Sequence, residues 1–285
     1  MTMRRAIVNL LDRPGGRALL AMTATHLARR ALGNDVEILY DGHLWIHRVG
    51  QLYYPTDRRF DYYTASFQEW RTLPATYLAN AQDFWFRHGR PRPGETVLDI
   101  GAGRGEDTLA FSRAVGDTGR VIAIEAHPLS FQLLAAFCRF NRLTNVTPLN
   151  LAVMDGPGEV SMVESADWRA HAIKLGGSPT TIRVPAETLD GICDTQGIHH
   201  IDFLKMNIEG AERYALAGAE TTITRTTSLC IACHDFLADR GQGEHYRTRE
   251  FVERFLADHS FRTQSHPEDA RDFIRYHVFA SATMA

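Results

Sequence analysis

Lysine is almost missing from this chain: only Lys174 and Lys205 stand against an otherwise all-arginine basic complement. That bias fits the codon usage of a GC-rich genome and carries no chemistry of its own. Net charge is slight as well, −3 at pH 7, which provides no general basic field for a nucleic-acid partner. Cysteine is scarce. Cys138, Cys193, Cys230 and Cys233 are too few for a disulfide framework in 285 residues, so reduced thiols and a cytoplasmic setting are expected. No apolar run approaches the length needed to span a bilayer. Residues 18 to 32 are apolar on one side, but His26, Arg29 and Arg30 interrupt them and no small-residue cleavage site follows. They read as a docking helix and not a signal peptide.

What the chain does have is the balance of a globular protein, 44% hydrophobic and 23% charged, and enough length for a large core. The chain is organised around Thr96-Val-Leu-Asp-Ile-Gly-Ala-Gly-Arg-Gly-Glu-Asp107. A buried-strand run enters glycines at alternate positions, Gly101, Gly103 and Gly105, and then an apolar-periodic segment from Leu109 to Val115. This is strand, tight turn, helix, the first unit of an open parallel sheet. Glycine is required where a ligand approaches the backbone or φ turns positive. The dinucleotide fingerprint is G-x-G-x-x-G. Here it is G-x-G-x-G, and Glu106 and Asp107 follow in the first helical turn, where they would repel a pyrophosphate. A ligand without phosphates fits better.

Upstream, Gly16 to Leu32 reads as a helix stopped by Gly33-Asn34. Val36 to Tyr40, Asp41-Gly42 and His43 to His47 read as a β-hairpin with a two-residue turn. Phe60, Tyr62, Tyr63, Phe67, Trp70, Tyr77, Phe84, Trp85 and Phe86 make residues 60 to 88 an aromatic, mostly helical region. Core packing and the lining of an apolar pocket both suit it. Pro91, Pro93 and Gly94 form a stiff linker.

Downstream the alternation continues: Arg120 to Glu125 as a strand, a helix from Pro128 to Leu143, then Val146 to Val153 as a strand. Residues 155 to 185, with Trp168, Arg169, His171 and Lys174, interrupt it and read as a lid insertion or a surface hairpin. Ile201 to Asn207 and Ser228 to Ala232 are further strands, with a helix running to about Thr222 between them. Thr248 caps a helix carrying Phe251, Val252, Phe255 and Leu256. Phe261 to Gln264 and Ile274 to Ala280 close the sheet as a hairpin. Cys230-x-x-Cys233 in a strand places its thiols on opposite faces, favouring buried structural cysteines over a zinc or redox pair.

Ligands of an open α/β sheet gather outside the carboxyl ends of the strands. Four groups fall there: the glycine loop, Glu125, Asn207 with Glu209, and His234-Asp235. The blocks Val97-Leu-Asp-Ile-Gly-Ala-Gly-Arg-Gly105, Arg120-Val-Ile-Ala-Ile-Glu-Ala-His-Pro128, Thr188-Leu-Asp190 and Ile201-Asp-Phe-Leu-Lys-Met-Asn-Ile-Glu-Gly-Ala-Glu212 resemble the FkbM family of class I S-adenosylmethionine (SAM) methyltransferases. The resemblance covers about residues 95 to 225 and is carried mainly by the last block.

It implies an α/β, Rossmann-like fold, a mostly parallel seven-stranded sheet with helices on both faces, and an N-terminal helix and hairpin extension. On that reading residues 1–90 hold the helix, hairpin and aromatic region, and residues 91–285 form the methyltransferase domain. The implied activity is O-methylation of a hydroxyl on a small molecule such as a sugar, glycolipid or polyketide. The cofactor residues are then Asp99, Gly101, Ala102, Gly103, Gly105, Glu125, Ala126 and Asn207.

Two departures stand out: Asn207 where the family has Asp, and Ala126-His127 where it has Pro-Asn. A hydroxyl acceptor must lose a proton, so a base or a Lewis-acid cation is needed. His234 is the preferred base, with Asp235 or Glu209 orienting or replacing it and Asn207 beside them. Asn207, Glu209 and Asp235 could hold Mg²⁺, although their spacing is no recognised metal motif. A SAM-binding scaffold without activity, for which Asn207 is the argument, and a nicotinamide oxidoreductase are the competing readings. No nucleic acid and no membrane span are expected; a homo-oligomer is compatible with the chain.

Overall fold

The computed structural model describes residues 11–13, 15–57, 67–163 and 181–283. Its contacts divide the chain into two units, residues 1–77 with 135–142, and residues 78–134 with 143–285.

In the first unit the helix α1 (Arg17–Leu32) ends at Gly33, whose φ of 100° is open to glycine and whose N–H reaches the Arg29 carbonyl. Three antiparallel strands follow, β1 (Val36–Tyr40), β2 (Trp45–Val49) and β3 (Leu52–Thr56). The expected hairpin is present with a different turn. Tyr40 pairs with Trp45, because the Asp41 carboxylate accepts the N–H groups of His43 and Leu44 and draws four residues into the loop. Strand β3 was not expected. Pro55 argues against a strand, but β3 lies at the edge of the sheet, where a missing N–H is tolerated.

The helix α2 (Phe67–Phe84) leads into the second unit. There the strands β4 (Thr96–Ile100), β5 (Arg120–Ile124), β6 (Val146–Leu149), β10 (Ile201–Met206), β11 (Thr226–Ala232), β12 (Phe261–Gln264) and β13 (His277–Ala282) form one seven-stranded sheet. Its order is β12-β13-β11-β10-β4-β5-β6, with β13 antiparallel to both of its neighbours and the remaining pairs parallel. This is the expected fold class. The helices α3 (Glu106–Val115), α4 (Pro128–Phe140), α5 (Leu189–Gln196), α6 (Glu212–Ala217), α7 (Glu220–Thr224), α8 (Asp235–Asp239), α9 (Arg249–Asp258) and α10 (Asp272–Arg275) intervene. Alternate strand residues enter separate cores: Leu98, Ile122, Leu204 and Leu229 join one apolar cluster, and Val97, Val121, Phe203 and Cys230 the other. A sheet buried on both faces is the reason these strands read as continuous apolar runs. Cys230 and Cys233 fall in opposite clusters, and burial pushes both thiols well above their ordinary range. Trp85 and Phe86 are likewise core residues. Phe60, Tyr62 and Tyr63, and the side chains of Phe67 and Trp70, lie outside the described residues.

Several boundaries differ from expectation. The third strand breaks at Asn150: β6 stays in the main sheet, while β7 (Ala152–Val153) pairs with β9 (Thr181–Glu187), which pairs with β8 (Gly158–Val163). The break has a cause, since the Asn150 side chain donates to the carbonyls of Glu125 and Ala126. The residues proposed for a lid, Trp168, Arg169, His171 and Lys174, lie outside the described residues. The helix expected to run to Thr222 is two short helices, α6 and α7, because Gly218 packs where a side-chain carbon would come 2.2 Å from the Met154 carbonyl oxygen. The N-terminus of α9 is capped by Asp235, which accepts from the N–H groups of Thr248 and Arg249, and not by the Thr248 hydroxyl. Residues 272–275 are helical, so β13 begins at His277.

Candidate active site

Strand β4 ends where it must turn sharply. Gly101, Gly103 and Gly105 all have positive φ, 75°, 58° and 99°, which only glycine adopts at little cost. Gly101 also has no room for a side chain: a Cβ there would lie 1.9 Å from the Asn207 carbonyl oxygen. Strand β10 thus passes directly against the turn, and the Asn207 N–H closes the contact on the Ile100 carbonyl. On the other side the N–H groups of Gly101 and Ala102 both reach the Ile124 carbonyl of β5.

The three neighbouring strand ends enclose a cavity of about 330 Å³, within the size range of cofactor sites. Of the residues expected to hold the cofactor, Gly101, Ala102, Gly103, Glu125, Ala126 and Asn207 line it and Gly105 does not; Glu209 joins them, with Glu106 and Asp107 from the first turn of α3. Ile100, Ile124, Leu151, Val153 and Met162 supply apolar wall. Among the described lining residues four are acidic (Glu106, Asp107, Glu125, Glu209) and none is basic.

Glu125 is fixed by the backbone. Its Oε2 accepts the Gly103 N–H at 2.9 Å and its Oε1 the His127 N–H at 2.8 Å, so each oxygen keeps a lone pair for a ligand. Burial pushes its carboxyl up to about 7 against those two hydrogen bonds.

Beneath the turn lies a buried ion group that sequence reasoning missed. Asp99 and Lys205 are both 0% exposed. Lys205 Nζ donates to Asp99 Oδ1 at 2.9 Å and to the Gly101 carbonyl at 2.7 Å, and sits 3.7 Å from Asp107 Oδ2. The Thr108 hydroxyl holds the second Asp99 oxygen. Burial opposes the charge on Lys205, yet the attraction of Asp99 and Asp107 prevails and raises its pKa. Asp99 therefore does not line the cavity; it secures the turn from below. The signal was present: one of only two lysines stands inside the apolar strand Ile201-Asp-Phe-Leu-Lys-Met206, where an ammonium must be paired.

His234 follows β11 and is buried, away from the cavity lining. Its Nδ1 lies 3.0 Å from Glu212 Oε1 and its Nε2 3.4 Å from Glu209 Oε1. Burial opposes its charge, but the two carboxylates raise its pKa to about 10, so the ring is an imidazolium at neutral pH. Glu212, also missed, is 0% exposed and accepts the Gly210 N–H besides. Glu209 has a φ of 52°, a strained position for a residue with a side chain, and it reaches both the imidazolium and the cavity. Asp235 is occupied as the cap of α9. Among the described residues no group of three His, Cys, Asp or Glu side chains converges as a metal set, and no described helix is long and apolar enough to cross a membrane.

The family model described as Methyltransferase FkbM domain matches residues 99–263. The chain is 27% identical over 170 residues to the 2-O-methyltransferase NoeI of Sinorhizobium fredii, covering 53% of this chain and 68% of that protein. It is 34% identical over 84 residues to the tRNA (adenine(58)-N(1))-methyltransferase catalytic subunit TRM61 of Yarrowia lipolytica, covering 30% of this chain and 21% of that one. Among solved structures, Methyltransferase FkbM from Methylobacillus flagellatus KT matches 76% of this chain at 18% identity and a TM-score of 0.45, and the match spans 55% of that chain.

Proposed function

The chain belongs to the methyltransferase FkbM family, and from that premise we propose that it is a SAM-dependent O-methyltransferase acting on a hydroxyl of a small molecule, such as a sugar, glycolipid or polyketide-like natural product. The observation that carries the choice of donor is the cavity wall, with four acidic and no basic side chains among the described lining residues. Such a wall favours a ligand bearing a sulfonium and an ammonium and repels the pyrophosphate of a nicotinamide dinucleotide. The transfer to oxygen is supported by the relative whose name gives a 2-O-methyltransferase.

SAM, when bound, supplies a methyl on a sulfonium that leaves without acid assistance. The chain's own part is to align, exclude water and move one proton. Glu125 would accept the ribose hydroxyls at the end of β5. Ile124, Leu151, Val153 and Met162, which line the cavity, would cover the apolar base. The glycine turn lets the ligand lie against the backbone, and Asn207 and Glu209, at the end of β10 across that turn, face the acceptor. Glu209 takes the hydroxyl proton, because His234 is already protonated between its two carboxylates. His234 acts as a positioning residue that holds the Glu209 carboxylate at the cavity, and Asn207 orients the hydroxyl through its amide.

Calorimetric titration with S-adenosylhomocysteine and with NAD tests the donor. Binding of the first with no response to the second is expected; a chain that binds NAD and not S-adenosylhomocysteine would return the glycine turn to a dinucleotide role.

A further inference from the structure

We propose that Asp107, and not the motif acid Asp99, receives the α-ammonium group of the donor's amino-acid tail. The inference rests on the SAM reading above and concerns which carboxylate in this chain meets the ligand's cation.

Two carboxylates, Asp99 and Asp107, share one ammonium, that of Lys205. The sharing is unequal. Lys205 lies 2.9 Å from Asp99 and 2.7 Å from the Gly101 carbonyl but 3.7 Å from Asp107, so its hydrogen bonds are directed below the turn. Asp99 has its other oxygen on the Thr108 hydroxyl and is shut off from the cavity. It is neutralised and inaccessible. Asp107 shares that ammonium at the longer distance and stays accessible: its side chain is 26% exposed and forms part of the cavity wall. Burial and the negative charge of Asp99 push its carboxyl above the usual range, against the pull of Lys205. A carboxylate in that position is stabilised by a second cation, and the cavity is the open side.

The sheet order gives the direction. Glu125 stands at the end of β5, on one side of β4, and takes the ribose; Lys205 stands in β10, on the other side. A ligand stretched from Glu125 across the glycine turn brings its tail to the β10 side, where Lys205 tethers Asp107. Lys205 is a positioning residue here, since it touches Gly101 and Asp107 and has no exposed surface of its own.

The test removes the charge from each side in turn. The full-length protein and its Asp107→Asn variant are titrated with S-adenosylhomocysteine and with its desamino analogue, 4-(5′-adenosylthio)butyrate. The native protein is expected to prefer S-adenosylhomocysteine by about tenfold or more, as a charge-assisted hydrogen bond implies. In Asp107→Asn that preference collapses while affinity for the desamino analogue stays within about twofold, the signature of direct coupling in a double-mutant cycle. Equal affinity of the native protein for both ligands overturns the proposal without any variant. So does an Asp107→Asn protein that keeps the full preference, or that loses affinity for both ligands alike. If the native protein binds neither ligand, the SAM reading itself falls, a different result from loss of discrimination alone.

Discussion

Glu125 combines two properties that oppose each other at neutral pH. Its backbone partners, Gly103 and His127, fix both oxygens of a side chain that lines the cavity, while burial moves its carboxyl up to about 7. On the proposed function, only the ionised form would accept from both ribose hydroxyls. Because the folded value lies above the ordinary 4.5, the ionised fraction rises as pH passes through about 7, and donor affinity rises with it. S-adenosylhomocysteine is therefore expected to bind several-fold more tightly at pH 8 than at pH 6. Glu125→Gln should bind at least about tenfold more weakly at pH 8 and show a flat profile between those two values, which titration calorimetry measures directly. A slope that persists in the variant would assign the pH dependence to another group. This residue was legible in the sequence, since an acid closing the second apolar run has few reasons to be there; its two N–H partners were not, because they depend on how the turn folds back.

At the scale of elements, the turn after β4 is held as much from β10 as from its own glycines. Lys205→Met would leave Asp99 buried with the Thr108 hydroxyl as its remaining side-chain partner. Removing one member of a buried ion pair costs about 3–5 kcal/mol. The expected result is a marked loss of stability in urea denaturation, largely relieved in the double variant Lys205→Met/Asp99→Asn, where Asp99 no longer carries a buried charge and only the part-exposed Asp107 lacks its cation. If both variants are equally unstable, the charge on Asp99 is not the source. The element shows where sequence reasoning reaches its limit. Strand, turn and helix at residues 96–115 follow from spacing that spans a few residues, and the sheet's parallel core follows from apolar runs. The partner of Lys205 lies 106 residues away, and no local pattern encodes that. The split at Gly218 and the cap that Asp235 gives α9 were hidden for the same reason: each is set by a neighbour remote in the chain. Glu212 could have been suspected as the last acid of a Glu-Gly-Ala-Glu block, but its burial against His234 is a property of the fold.

On the scale of the whole molecule, the charged centre formed by Glu209, His234 and Glu212 couples the site to the stability of the unit that contains it. The imidazolium faces those two carboxylates. Nearby stand Asp235, Tyr246, whose hydroxyl is raised by burial and by both acids, and His277, pushed down to about 3 by burial and by the charge of His234. His277 is thus neutral at neutral pH and does not compete for the proton. Since the folded value for His234 is raised from 6.5 to about 10, its charge contributes stability that is complete below about pH 6.5 and is lost as pH rises through about 10. His234→Gln leaves Glu212 at 0% exposure without its cation, so the variant should be less stable than the native protein by roughly 3 kcal/mol at pH 7. That difference should shrink toward zero by about pH 10.5, as the native protein itself discharges the ring. Urea denaturation of both proteins at a series of pH values reads the difference, and other alkaline titrations cancel because both proteins share them. A gap that stays constant with pH would mean that the ring contributes packing and not charge, and Glu209 would then lose the ion pair that holds it at the cavity.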